Sequence, residues 1–406
     1  MDFEFSPEQL SFRQQVIEFC DAHDDLDIFD VTRENMAQIV DTPKRRAFMK
    51  EVGHQGWLGI TWPKEHGGDE GEGVYEYILN EELAGRGGPQ IGKGVGIIGK
   101  TLIAHGSDFL KDKFLPMILE NDVEFAVGYS EPNAGSDAAS MRVKGVKHTT
   151  EDGREGWLVN GQKTWTTSAH FADWYWCGVR TDPDNKHMGI TLMLIPMNDP
   201  GITINGIWTM GDERTNEVWL DNVFVPDEYV VGEVNHGFRY ISQALDLERF
   251  TMFTYSPIRQ RLDVLTDYVT ETVRDGDALK DDPIVRSTMA NLHTEAEVAR
   301  VMGLKFVAEA VKVEHAARAG KPFQPPTVVA SEYKLFATEL SKRLASASMD
   351  IGGPGTQLRV RTEDAPMTGR SESTYRYTVI DTIGGGASEI QKNIIARRGL
   401  GLPKNF

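Results

Sequence analysis

The sequence predicts an α+β protein in which a helical N-terminal part precedes an antiparallel β part and a helical C-terminal bundle. Three observations carry this prediction. Apolar residues recur at helical spacing before residue 123, short β-branched and aromatic runs follow up to residue 234, and long apolar stripes at helical spacing occupy the rest. We therefore expect an N-terminal α-helical domain over 1–122, a middle β domain over 123–234 and a C-terminal α-helical bundle over 235–406.

The N-terminal part opens with a capping signal. Ser6 is a favourable N-cap, Pro7 suits the first helical position, and Gln9 occupies the capping-box position. Further helices are expected over 74–84 and 107–119 because apolar side chains recur there at helical spacing. The stretch GWLGITWPKEHGG, over residues 56–68, precedes the first of these helices. Its glycine and proline residues are typical of a loop.

The middle part contains the runs WLVNGQKTWTT, WYWCGVRTD, GITLMLIPM and EVWLDNVFVP, whose residues favour strands. Asn160-Gly161 is a hairpin-turn signal. Trp165 and Thr167 lie two positions apart, so on a strand they would point to the same face and could meet an aromatic ring with a polar edge. A half-buried structural tryptophan is the alternative. Consecutive strands without helices, and no glycine fingerprint after a strand, argue against a Rossmann unit.

The C-terminal part shows a sustained seam of apolar and small residues three or four positions apart, which is typical of the core of a helical bundle. A second stripe of the same kind follows it. The first seam comprises Met289, Leu292, Ala296, Ala299, Gly303, Phe306, Ala310 and Val313, and the second Tyr333, Phe336, Leu340 and Leu344.

Charge and cysteine content exclude several classes of protein. With 43 Lys and Arg against 61 Asp and Glu, the net charge of −18 argues against binding to nucleic acid or to an anionic membrane surface. Cys20 and Cys177 cannot build a disulfide framework or a cysteine zinc site, and the ten histidines show no metal-ligand spacing, so we predict no metal site. Without an apolar run of about 18 residues or a signal-like start, we expect a soluble cytoplasmic protein without a membrane span.

The segment VGYSEPNAGSD, from Val127 to Asp137, combines hydroxyl groups with a glycine-containing backbone. Such a segment can present N–H groups to a phosphate or to the edge of a flavin. Taken alone, it could equally be a turn-rich connector.

Together, these segments resemble the acyl-CoA dehydrogenase family. GYSEPNAGSD is similar to the family signature Thr-Glu-Pro-x-Ala-Gly-Ser-Asp, with Ser130 in place of threonine, and NGQKTWTTSAHFAD is similar to its Asn-Gly-x-Lys-x-Trp-x-Thr segment. WPKEHGG, DNVFVPDEYVVGEVNHGF and EIQKNIIAR fit in the family's order, so the resemblance spans the chain. It implies a C-terminal four-helix bundle, bound FAD, α,β-dehydrogenation of an acyl-CoA thioester, and an electron-transferring flavoprotein as acceptor.

The resemblance also implies site residues by position. Trp165 would shield the flavin and Thr167 would hydrogen-bond its edge, while Ser136 would lie near phosphate and the CoA chain. The implied FAD-binding residues are Val127, Tyr129, Ser130, Ser136, Trp165, Thr167, Gly385 and Gly386, and the implied substrate-binding residues are Ser136, Asp246, Arg249 and Gly386.

The catalytic base is predicted to be Glu248. In many family members a glutamate stands where this chain has Gly385, and Glu389, four residues later, matches an adenosine-contacting position instead. Glu248 shares an apolar helical face with Ile241 on a helix expected to begin near Phe238. A glutamate there must be paired, protonated or placed at a cavity, and burial raises its pKa towards that of a general base. Its Leu-Glu-Arg context matches the position that branched-chain and long-chain members use.

The run Gly384-Gly385-Gly386 leaves room for a bulky acyl group, and the Gly385 N–H could polarise the thioester carbonyl. A flexible hinge is the alternative. Aromatic residues near Glu248 favour a bulky, branched or ring-bearing acyl group. Two other functions remain open: a cofactor-grip or scaffold subunit without its own base, and an acyl-CoA oxidase that uses O₂.

Two departures from the family concern the adenine side of FAD. The family's Arg-x-x-Phe-Gly pattern is missing from TYSPIRQRLDVLTDYV, and Met349 replaces a second family glutamine in MDIGGPG. Either another group substitutes within a homodimer or homotetramer, or a homologous subunit supplies the missing contacts in a heterotetramer. Bacterial members that dehydrogenate steroid side chains or dicarboxylic acyl-CoAs resemble this pattern.

Overall fold

The computed structural model describes residues 4–33, 39–252 and 254–403, with the backbone alone for residues 245–252. The helices are α1 Pro7–Ala22, α2 Pro43–His54, α3 Gly73–Gly85, α4 Lys100–His105, α5 Asp108–Leu119, α6 Gly237–Met252, α7 Ser256–Glu271, α8 Pro283–Arg318, α9 Thr327–Gly352, α10 Arg370–Asp381 and α11 Ser388–Ile394. The strands are β1 Phe125–Gly128, β2 Lys144–Thr149, β3 Glu155–Lys163, β4 Trp174–Arg180, β5 Ile190–Pro196, β6 Ile202–Trp208, β7 Arg214–Pro226, β8 Val230–Val231, β9 Val273–Arg274 and β10 Asp277–Ala278. Helices precede and follow the sheet strands, which confirms the predicted fold class. In the described ranges, no helix has the length and apolar character that crossing a bilayer requires.

The backbone divides into two compact units, each assembled from segments that are distant in the chain. The first unit contains Met1–Ala37, Glu72–Gln90 and Arg249–Phe406, and the second contains Gln38–Gly71 and Ile91–Glu248. The division into three consecutive domains stays a prediction.

The second unit is built around a sheet with the strand order β6-β7-β3-β2-β4-β5-β8, and β1 pairs with β4. Most neighbours run antiparallel, as expected, but β1 and β2 run parallel to β4. The parallel pairing of β1 places Val127 opposite Trp176. Because Tyr175, Trp176 and Cys177 are fully buried, β4 is the central strand against which the VGYSEPNAGSD segment begins.

The predicted turn at Asn160-Gly161 is wrong. Both residues lie inside β3, where the register with β7 shifts between Val159 and Gly161 in a β-bulge. Gly161 has a φ of 141°, a conformation that glycine adopts without strain. The Asn160 side chain accepts the backbone N–H of Asn222 at 2.8 Å, so this pair serves a bulge instead of a hairpin turn.

The expectation that Trp165 and Thr167 share a strand face is also wrong. β3 ends at Lys163, and Trp165 has a φ of 59°, in the left-handed region that ends an extended strand. The two residues therefore lie in a loop that leads to β4, and tertiary contacts decide where each side chain points.

The first unit has a helical core shared by α7, α8 and α9, with α10 and α11 packed on α9. The predicted stripe on α8 is buried from Met289 to Phe306, while Ala310 and Val313 are half-buried. Gly303 lets α9 approach closely, because a Cβ at this position would lie 3.3 Å from the Tyr333 ring. The N-terminal capping box around Ser6 is also confirmed.

Candidate functional site

In the second unit, the end of β1 presents the first predicted site residues. Val127, Tyr129 and Ser130 are half-buried, and the Trp176 indole N–H donates to the Tyr129 hydroxyl at 2.8 Å. Gly128 packs so closely that a Cβ there would lie 2.3 Å from Cζ of Tyr175. The absence of a side chain at position 128 therefore lets β1 lie against β4, which fixes the direction of the turn at Tyr129 and Ser130.

The loop containing Trp165 and Thr167 lies beside this turn, because the Thr164 N–H donates to the Ser130 carbonyl at 3.0 Å. The structure thus brings together the two segments that the sequence marked separately. Trp165 leaves 59% of its surface exposed, and Thr167 is half-buried with its hydroxyl 3.5 Å from that of Thr215. The exposed indole of Trp165, with the half-buried Thr167 two residues later, provides a flat apolar surface with a hydroxyl group in the same loop.

Buried polar contacts anchor that loop. Asn216, which is fully buried, donates its amide N–H to the Thr166 carbonyl at 2.9 Å, and the Thr166 N–H donates back to the Asn216 carbonyl at 3.0 Å. Lys93 donates to the Ser168 hydroxyl at 3.1 Å. Desolvation, with a smaller contribution from the nearby Arg214 cation, lowers the pKa of His170 in the same loop.

Ser136 lies in an exposed loop whose course is set by Arg180. The Arg180 guanidinium donates to the Ala139 and Met141 carbonyls at 2.5 and 3.1 Å, and to two carbonyls of the neighbouring loop 182–189. Lys186 from that loop pairs with Asp137 at 2.8 Å. Ser136 is therefore accessible next to backbone and basic groups, which suits contact with an anionic ligand.

Sequence reasoning missed the residues that join the two motifs. Lys163 and Glu131 form a buried ion pair at 2.8 Å beneath the Tyr129–Ser130 turn. The ion pair also affects the buried Cys177 thiol. Burial raises the pKa of this thiol to about 11, while the Lys163 cation acts to lower it. A signal was available, since opposite charges occur inside the two quoted motifs, but their proximity depends on the fold.

In the first unit, Gly385 and Gly386 form the turn between α10 and α11, with φ angles of 62° and 92°. Their carbonyls accept hydrogen bonds from the Gln391 amide at 3.1 and 2.9 Å, and buried Lys334 donates to the Gly386 carbonyl at 3.0 Å. Within the described residues, the N–H groups of both glycines make no hydrogen bond. This turn is held in place, which disfavours the flexible-hinge alternative and leaves two amides available to an acceptor.

The predicted base and its neighbours lie on α6, which begins at Gly237, close to the predicted start. The side chains of Asp246, Glu248 and Arg249 fall outside the described residues. Earlier on α6, Ile241 and Ala244 are buried, so the helix has an apolar inner face.

The chain that follows α6 is anchored by a carboxylate that sequence reasoning did not identify. Buried Glu81 on α3 accepts the backbone N–H groups of Tyr255 and Ser256 at 2.8 and 2.6 Å. Burial raises the pKa of Glu81, and these hydrogen bonds oppose the shift because they favour the charged form. Glu81 therefore satisfies free N–H groups at the start of α7.

Models of acyl-CoA dehydrogenase domains match nearly the whole chain: the N-terminal domain over residues 6–122, the middle domain over 126–223 and the C-terminal domain over 235–400. The acyl-CoA dehydrogenase FadE26 of Mycobacterium tuberculosis is 32% identical over 364 residues, covering 88% of each protein. The acyl-CoA dehydrogenase IpdE1 of Mycolicibacterium smegmatis is 32% identical over 371 residues, covering 89% of each.

Two solved structures match over the full length of both chains. The ChsE4-ChsE5 complex from Mycobacterium tuberculosis superposes with a TM-score of 0.84 at 30% identity, and the Tcur3481-Tcur3483 steroid ACAD with a TM-score of 0.85 at 28% identity. Three domain models in the expected order, together with relatives of this identity and coverage, place the chain in the acyl-CoA dehydrogenase family of FAD-dependent oxidoreductases.

Proposed function

We propose that this chain dehydrogenates the α,β bond of a bulky acyl-CoA thioester with Glu248 as the base. The observation that carries the proposal is the hydrogen bond from Thr164 to Ser130, which places the two flavin-related motifs side by side. This junction assembles Tyr129 and Ser130 on one segment and the Trp165 loop on the other into one surface.

The residues present fit FAD. The exposed Trp165 indole offers a flat apolar face, and the hydroxyl of the half-buried Thr167 can bond a polar ring edge. In the first unit, the Gly385 and Gly386 N–H groups, which make no hydrogen bond to the described part of the chain, can donate to the cofactor or to the thioester. When bound, FAD supplies the acceptor for the hydride that leaves the β-carbon.

The Glu248 carboxylate would accept the proton from the α-carbon of the acyl-CoA. Glu248 follows Ile241, which is 1% exposed, by seven positions on α6, a spacing that favours the same helical face for both residues. Desolvation on such a face raises a carboxyl pKa towards the range of an effective general base. The Gly385 N–H would stabilise the charge that develops on the thioester oxygen as the proton leaves.

CoA recognition is assigned to the Ser136 loop together with Asp246 and Arg249. The chain as a whole carries −18, so the phosphates of CoA require local donors. Lys186 beside the Ser136 loop supplies a cation, and the arginine of the Leu-Glu-Arg segment supplies another.

The substrate class is proposed to be a ring-bearing acyl group. The three consecutive glycines at 384–386 place no side chain on this turn, and the sequence just after Glu248 contains the aromatic residues Phe250 and Phe253. The name of one solved structure of similar fold, the Tcur3481-Tcur3483 steroid ACAD, supports the same class.

We further propose that the chain works in a heterotetramer with a homologous subunit and passes its electrons to an electron-transferring flavoprotein. Met349, on α9, stands where the family carries a glutamine, so a partner would supply the missing contact on the adenine side of FAD. The ChsE4-ChsE5 complex, which pairs two differently named chains, supports this arrangement. We place the activity in the cytoplasm, because both cysteines are buried and unpaired, as in proteins of reducing compartments.

The test is anaerobic reduction of the bound flavin by a panel of linear, branched and ring-bearing acyl-CoAs, with and without a co-expressed homologous chain. Glu248→Gln should retain the yellow flavin and lose its bleaching by substrate. Glu271→Gln, which changes an exposed glutamate at the end of α7, is the matched control and should bleach normally. Undiminished bleaching by the Glu248 variant would refute the assignment of the base, and turnover of linear short acyl-CoAs alone would refute the substrate class.

A further inference from the structure

A buried ion pair between Lys163 and Glu131 lies in the second unit, outside the proposed contact residues. Lys163 has no exposed surface and Glu131 has 8%, and their charged atoms are 2.8 Å apart. Lys163 is the last residue of β3, and Glu131 lies in the turn after β1. The pair therefore links the two segments that flank the proposed flavin surface.

Both oxygens of the Glu131 carboxylate accept hydrogen bonds. One accepts from Lys163 and from the Val143 N–H at 2.8 Å, and the other accepts from the Arg142 N–H at 2.6 Å. A buried ion pair contributes little net stability, because desolvating both charges offsets their attraction. Complete hydrogen bonding of such a pair therefore indicates a role in fixing one backbone arrangement.

The backbone that the pair holds is the one that would face the cofactor. Lys163 also donates to the Tyr129 carbonyl at 3.3 Å, and the next residue, Thr164, donates its N–H to the Ser130 carbonyl at 3.0 Å. Lys163 thus fixes the position of the Tyr129–Ser130 turn. It also fixes the point at which the backbone leaves β3 towards Trp165.

We propose that Lys163 and Glu131 are a positioning pair that sets the affinity and the reduction potential of the bound FAD. This inference rests on the proposed function, since it concerns the cofactor that the Tyr129–Ser130 turn and the Trp165 loop would hold. Neither side chain needs to touch the cofactor, because both act through the backbone carbonyls that they hold.

The two single variants have opposite expected signs. Lys163→Met leaves the Glu131 carboxylate buried without its cation, and a nearby negative charge opposes electron uptake, so the potential should fall. Glu131→Gln leaves the Lys163 cation uncompensated, so the potential should rise. The double variant restores neutrality, and its potential should return towards that of the wild type while its affinity for FAD stays weak.

Titration of the apoprotein, prepared with its co-expressed homologous subunit, with FAD and flavin fluorescence measures the affinity for FAD, and dye-coupled reduction measures the reduction potential. We expect the dissociation constant of the single and double variants to rise about ten- to a hundredfold, the range that loss of a charge-assisted hydrogen bond produces. Arg376→Met is the matched control, because it removes a half-buried ion pair with Glu372 on α10 in the other unit, and FAD affinity should not change.

The double variant also guards against simple misfolding, since it leaves no unpaired buried charge. A folded double variant that binds FAD as tightly as the wild type, or single variants whose potentials shift in the same direction, would overturn the positioning role. If the wild type binds no FAD even when it is co-expressed with its homologous subunit, the proposed function fails instead, so the two failures are distinguishable.

Discussion

We expect the ionisation of Glu124, the residue before β1, to be the main cause of pH-dependent stability in the second unit between pH 4.5 and 8. Burial raises the pKa of its carboxyl from 4.5 to about 7, and Asp173 adds to the shift, while the Arg46 and Lys93 cations oppose it. The Glu124 N–H donates to the Asp173 carboxylate at 2.8 Å, which holds the two acidic residues together.

The sign of the effect follows from linkage. The folded-state pKa lies above the unfolded one, so the stabilising contribution of protonated Glu124 is complete below pH 4.5 and is lost as pH rises through 7. A shift from 4.5 to about 7 corresponds to about 3 kcal/mol at 1.36 kcal/mol per pKa unit. Because Glu124 keeps some exposure, we expect a loss of about 1–3 kcal/mol.

Glu124→Gln removes the titration and keeps the shape of the side chain. Urea unfolding between pH 4 and 8.5 at constant ionic strength should show the variant gaining stability over the wild type through the window from pH 4.5 to 7, and levelling above it. Glu228→Gln, at an exposed position, should follow the wild type at every pH. Parallel wild-type and Glu124→Gln profiles across the whole range would refute the reasoning.

Three further changes test other parts of the fold. Gly128→Ala, which puts a Cβ 2.3 Å from Tyr175, should cost about 1–3 kcal/mol and lower the thermal midpoint and FAD occupancy together; unchanged occupancy would show that β1 tolerates displacement. Ser6→Ala, which removes the α1 cap, should cost about 1 kcal/mol in urea unfolding without altering flavin content. Lys113→Met should lower the free energy of unfolding by about 1–2 kcal/mol, because the Lys113 ammonium donates to the Tyr229 hydroxyl at 2.6 Å and lies 4.8 Å from the centroid of the Tyr229 ring. A stability equal to that of the wild type would exclude an energetic role for these contacts.

Local patterns in the sequence predicted the helices well, because the signals for them are local. Ser6 with Gln9 marked the start of α1, and the spacing of Met289, Leu292 and Ala296 marked the buried face of α8, as the structure confirms. Asn160-Gly161 misled the prediction, since a glycine with positive φ serves a bulge as well as a turn. The choice depends on the partner strand β7, which sequence spacing does not reveal.

For the site, the sequence by itself predicted the chemical groups: the hydroxyl and glycine segment after β1, the Trp165 segment, the glycine run and the glutamate proposed as the base. Their motifs are contiguous, so they can be recognised without a fold. Only the tertiary structure decided that Thr164 meets Ser130, that Lys163 lies 2.8 Å from Glu131, and that the Glu124 N–H meets the Asp173 carboxylate. Such pairings join residues tens of positions apart, and burial, which sets their energies, exists only in the folded chain.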